Sequence, residues 1–133
     1  MKHTRRTDAW RNPLAFRHGV KQGGFDLVIC CNYLFRPRLD ELFGLVAAGG
    51  ALVCETFARG NARYGRPASP KFLLGPGELA TAAARNGFVV IAFEHGFTGA
   101  PRPAMVQRIC AARAPVSAVR FMLDVPDASR RSG

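Results

Sequence analysis

The sequence has no apolar run long enough to cross a bilayer, and no apolar stretch follows its basic start, Met1-Lys2-His3-Thr4-Arg5-Arg6. The first absence argues against a membrane span and the second against a secretory signal. A soluble cytoplasmic protein is the resulting expectation. No CxxC pair occurs among the four cysteines, Cys30, Cys31, Cys54 and Cys110, so the usual spacing of a zinc site is missing. His18 and His95 lack metal-ligand spacing too, and no metal is expected. Acidic residues are few, nine Asp and Glu against nineteen Lys and Arg. No helix pattern carries a basic stripe with interleaved aromatics, and no internal repeat is present.

What is there fits one modest domain with one core: 133 residues, 48% of them hydrophobic. The net charge of +10 invites a nucleic-acid reading. The arginines are spread, however, over the amino terminus (Arg5, Arg6, Arg11, Arg17), the middle (Arg59, Arg63, Arg66) and the tail (Arg120, Arg130, Arg131). Charge by itself therefore argues weakly for that partner. Cys30 and Cys31 are adjacent in an apolar run, so on a strand they point to opposite faces. The cysteines read as small buried hydrophobes in a reducing compartment.

Three regions follow from the pattern. Residues 1–24 are basic and aperiodic. Residues 25–113 alternate strands and helices, and 114–133 form a tail, frayed from Asp127 onward. Phe25 to Cys31 is a continuous apolar run with β-branched residues, as in a strand buried on both faces. Leu39, Leu42, Phe43 and Val46 then repeat at helical spacing behind Pro37, and Gly49-Gly50 reads as the stop. Ala51 to Phe57 is a second strand, which completes a βαβ unit with a right-handed crossover. Ala58 to Gly75 is a long connection rich in Arg, Pro and Gly. Pro76 to Asn86 predicts a helix, with Glu78 near its amino end and Asn86-Gly87 as its stop. Phe88 to Glu94 and Ala104 to Ala112 predict two more strands, paired as an antiparallel hairpin with a wide loop. Val116 to Leu123 fits either a short helix or a strand.

The series FDLVICCNYL, a helix ending in AAGG, ALVCETF, the loop NARYGRPASPKFLL, a helix opening GPGEL, and PRPAMVQRI resembles the carboxy-terminal half of class I S-adenosylmethionine-dependent methyltransferases. The resemblance covers roughly Phe25 to Arg113. Within that class it looks closest to bacterial members related to the tellurite-resistance methyltransferase. It implies an α/β fold, a partial Rossmann-like methyltransferase sheet made of family strands four to seven with flanking helices. In such enzymes the parallel sheet ends with an inserted antiparallel strand. The resemblance also implies S-adenosylmethionine as cofactor and a small-molecule methyl acceptor. The family holds its cofactor with a Gly-rich turn after the first strand and an acidic residue after the second. Neither is found upstream of the FDLV strand here, because Gly19, Gly23 and Gly24 precede a strand instead of following one. The expectation is thus a truncated or incomplete methyltransferase, inactive as this chain alone. The alternative is a non-catalytic basic module that binds nucleic acid or protein. A half-sheet also leaves an edge uncovered, and edges seek partners, so a homodimer is expected.

Ligands of open α/β sheets bind beyond the carboxyl ends of the strands. That places Cys31, Asn32 and Tyr33 as candidate cofactor contacts, with Asn32 and Tyr33 foremost. Their competing roles are a turn cap for Asn32 and core packing for Tyr33. Glu55 and Thr56 at the next strand end, with Arg59, Arg63 and Tyr64 in the loop, are candidate substrate contacts. Glu55 needs a partner if buried, which Arg59 or Arg36 could supply, in a substrate-orienting role or a structural ion pair. Gln107 and Arg108 read as structural, with one of the two facing away from the core. Methyl transfer mainly requires a nucleophile held in line with the sulfonium methyl, so no diagnostic triad is expected.

Overall fold

Alternation along the strands divides a four-stranded sheet into two unlike faces. A computed structural model of the chain describes residues 22–117 and residue 121. Its strands are β1 (Phe25–Cys31), β2 (Val46–Phe57), β3 (Val89–Thr98) and β4 (Ala104–Ala112), and its helices are α1 (Leu39–Gly44) and α2 (Glu78–Arg85). The sheet order is β1-β2-β4-β3. β1 and β2 are parallel, and β4 lies antiparallel between β2 and β3. Three strands thus share one direction and β4 opposes them. This is an α/β fold with a mixed sheet, and the β3–β4 hairpin is present as expected. Among the described residues no helix is long and apolar enough to cross a membrane.

Cross-strand register shows which residues share a face. Cys30, Cys54, Ile109 and Phe93 occupy one row, and Leu52 pairs with Ala111 on the same face. Both helices pack there. Leu39, Leu42 and Phe43 of α1 and Leu79, Ala82 and Ala83 of α2 join those strand residues in one buried cluster. Phe43 meets Phe88 edge-on at 5.0 Å between ring centres. Asp40 ties the helices together, accepting from Arg85 at 2.7 Å and Asn86 at 2.8 Å. The other face carries Leu27, Ile29 and Val53, which are 41%, 50% and 38% exposed, and no described helix covers it.

The first helix is shorter than the spacing predicts. It ends at Gly44, and Val46 already belongs to β2, fully buried and paired with Phe25. Gly49-Gly50 is therefore not a helix stop. The register passes from Phe25↔Val46 to Leu27↔Ala51, so residues 47–50 bulge opposite Asp26. Gly49 takes a φ of 77° there, and its N–H reaches the Arg113 carbonyl at 3.0 Å. A Cβ on Gly50 would lie 2.7 Å from the Asp26 carbonyl oxygen, so glycine is required by close backbone approach.

Helix α2 sits within the expected segment. Gly87, with a φ of 75°, ends it in a Schellman arrangement, in which the Gly87 N–H bonds Ala84 and the Phe88 N–H bonds Ala83. β3 runs four residues further than expected, to Thr98. The amino-terminal segment up to residue 21 and most of the tail, including most of the Val116–Leu123 segment, lie outside the described residues.

Candidate functional site

The carboxyl ends of β1, β2 and β3 and the start of β4 share one edge of the sheet, where the candidate residues gather. Asn32 follows β1 with a φ of 55°, and its N–H donates to the Glu55 carbonyl at 2.8 Å. That left-handed conformation is uncommon outside glycine and is tolerated best by Asn. It turns the chain out of the sheet and leaves the Asn32 side chain exposed. Tyr33 is half-buried and packs against the core cluster, and burial pushes its phenol up.

The cysteines divide by face. Cys30 and Cys54 are buried rung partners that share a hydrogen bond, which lowers Cys30 and, with burial, raises Cys54 well above the ordinary thiol. They match the expectation of small buried side chains. Cys31 does not, because it is exposed on the open face beside Glu55. Partial burial, then the neighbouring Cys30 and Glu55, push its thiol up, which disfavours a reactive thiolate. Among the described residues no three His, Cys, Asp or Glu side chains gather as a metal cage.

Glu55 is paired, but not with Arg59 or Arg36. Its Oε2 accepts from Arg108 Nε at 2.8 Å, and Arg108 is its register partner on β4. Glu94 of β3 adds a second carboxylate 3.9 Å from the same guanidinium. This row lies on the open face with side chains about two-fifths exposed or more, so water screens it. Thr56, the next residue, is 2% exposed and faces the helices, away from any surface ligand.

Arg36 clamps the long connection after β2. Its guanidinium forks onto Glu78 at 2.8 and 2.9 Å and donates to the carbonyls of Leu73 at 2.6 Å and Lys71 at 3.0 Å. Glu78 also accepts the Gly75 N–H at 2.9 Å. Burial pushes Glu78 up, but the Arg36 and Gly75 hydrogen bonds and the charges of Arg36 and Arg59 outweigh it and hold the carboxyl below its usual range.

Two buried polar residues position this edge, and one of them, Gln107, has the structural role expected from the sequence. Gln107 is fully buried. Its Oε1 accepts the Leu79 N–H at 2.8 Å, and its Nε2 donates to the Gly75 carbonyl at 2.8 Å and faces His95 Nδ1 at 3.0 Å. The signal was a polar side chain in phase with Ile109 and Ala111. His95 itself lies on β3, at the surface. Asn61 is 1% exposed, donates to the Pro67 carbonyl at 2.9 Å and accepts the Met105 N–H at 3.0 Å. It locks the loop onto the start of β4 and brings Tyr64 against Phe97, ring centres 5.1 Å apart. Arg59, Arg63 and Arg66 are exposed along this loop.

The described residues do not fit S-adenosylmethionine by themselves. The glycine-bearing turn before α2, Gly75-Pro76-Gly77, has the Gly75 N–H and carbonyl engaged by Glu78 and Gln107. At the end of β1, Cys31 and Asn32 are exposed and Tyr33 is half-buried against the core. No protein-family model matches the chain, and no curated protein matches it.

Proposed function

We propose that this chain supplies the carboxy-terminal half of a class I S-adenosylmethionine-dependent methyltransferase fold, and that alone it is catalytically incomplete. The observation that carries the reading is β4, antiparallel and inserted between β2 and β3. That placement is the one implied by the resemblance for family strands four to seven. Among the described residues nothing pairs with the β1 edge and no helix covers the Leu27–Ile29–Val53 face, which agrees with it, since three further strands and their helices would cover both.

In this reading Asn32 and Tyr33 stand where the cofactor would approach. Glu55, Arg59, Arg63 and Tyr64 stand toward the methyl acceptor. The chain's own residues do one thing: they shape one side of a cleft. The contacts of the Gly-rich turn and the ribose-binding carboxylate are not among the described residues. Hydrogen bonds to charged groups contribute roughly 1.5–3 kcal/mol each, and 1.4 kcal/mol is about tenfold in affinity. Lacking several, the chain should bind the cofactor orders of magnitude more weakly than a complete enzyme.

Calorimetry with S-adenosylhomocysteine tests this. The expected result is no heat at micromolar ligand and at most weak binding near millimolar. Micromolar binding that disappears in Asn32→Ala would show a site complete in this chain and overturn the incompleteness.

A further inference from the structure

We propose that the loop after β2 and the β3–β4 turn together form a docking surface for single-stranded nucleic acid. The inference stands on the charges and rings of these loops and does not rest on the methyltransferase reading.

The sequence scatters its arginines, but two long intervals hold basic residues and no acidic ones. Between Glu55 and Glu78 there is no acidic residue, and Arg59, Arg63, Arg66 and Lys71 lie in that interval. Between Glu94 and Asp124 there is again none, and Arg102 sits in the β3–β4 turn. All five cations are exposed. The Tyr64–Phe97 contact ties the loop that carries Arg63 and Arg66 to the end of β3, just before the turn that carries Arg102. Arg59 leans toward Glu78 and the Lys71 ammonium lies 4.9 Å over the Phe72 ring, so Arg63, Arg66 and Arg102 are the cations left to meet phosphates.

The two rings decide which polyanion fits. Tyr64 is 42% and Phe97 58% exposed, large aromatic surfaces standing in water amid positive charge. Bases in a duplex are already stacked on one another, whereas unpaired bases can stack on such rings without regard to sequence. Phosphates then meet the arginines. A strand that alternates unpaired bases with phosphates matches rings and cations side by side. The platform is also preorganised: Asn61 spends both ends of its amide on the Pro67 carbonyl and the Met105 N–H, which fixes the loop before any ligand arrives.

The test uses the full chain and fluorescein-labelled dodecamers of oligo-uridylate and oligo-thymidylate, read by fluorescence anisotropy without methyl donor. Binding should be measurable at low salt and fall steeply as salt rises. Tyr64→Ala and Phe97→Ala should each weaken it about tenfold or more. Replacing Arg63, Arg66 and Arg102 by Ala should flatten the salt slope by about two, at roughly 0.7 per phosphate contact on a single strand. Tyr64→Phe, which keeps the ring, should retain binding, and a duplex of equal length should bind less tightly. Circular dichroism confirms that each variant is folded. No binding at low salt overturns the proposal. So does binding unchanged by the ring and arginine variants, which assigns it to the other basic segments. Heparin binding of equal strength that is indifferent to Tyr64→Ala would show a plain polyanion surface and also overturn it. Because no donor is present, failure here leaves the calorimetric test of the methyltransferase reading untouched.

Discussion

The two faces of the sheet are built from the same strands and differ in almost everything else. On the covered face, Cys30, Leu52, Cys54, Ile109 and Ala111 are 2% exposed or less and meet both helices. On the open face, Leu27, Ile29 and Val53 sit on neighbouring rungs in partial contact with water, and the polar row Glu55–Arg108–Glu94 crosses the same surface. A two-residue alternation thus separates a core from an interface-like surface. The difference teaches that apolar content along a strand says how much can be buried, while the partner elements decide which half is.

The largest expected effect lies on the covered face. Phe43→Ala removes a fully buried ring that packs on Phe88, and should cost about 3–5 kcal/mol. Ile29→Ala, half-exposed on the open face, should cost well under half of that. Urea midpoints of the two variants measure the ratio, and equal losses would mean that the open face is covered in solution. Next comes Gln107→Ala, which removes the side-chain acceptor of the buried Leu79 N–H and leaves the Gly75 carbonyl only the Glu78 N–H. Its cost should be about 1–3 kcal/mol, with loosening confined to the start of α2. Smallest in stability, and most telling about the faces, is Ile29→Lys. A charge there should change the monomer by only about 0.5 kcal/mol. If the β1 edge and open face pair with a second copy, the same variant should turn a dimer into a monomer in sedimentation. A wild-type chain that stays monomeric at high concentration would argue against that pairing.

Much of the fold was legible because its strands are short, branched and apolar. Phe25–Cys31 and Ala104–Ala112 stand where composition put them. The start of β2 was not, because Ala47-Ala48-Gly49-Gly50 carries no apolar signal. Its place is set by a backbone bond to Arg113 and by the approach of Asp26, neither visible locally. The site was legible to the level of which strand ends meet, and not to the level of pairing. Arg108 is far from Glu55 in sequence and becomes its partner only through the β2–β4 register. Alternation told that Cys30 and Cys31 oppose each other. It could not tell which side the helices would take, and so Thr56, in phase with Cys54, lies inside.

The Arg36 clamp has a consequence for how the molecule breathes. One guanidinium, from the turn between β1 and α1, bonds three backbone carbonyls and a carboxylate at the far end of the connection after β2. Neither segment can peel away without stripping that guanidinium of its bonds. The amides of Arg59, Leu73, Leu74 and Gly75, held by Leu74, Pro70, Phe57 and Glu78 in turn, therefore open as one cooperative unit with the turn at Arg36–Arg38. A long surface connection that would otherwise exchange its protons freely is thereby drawn into the slow-exchanging part of the chain.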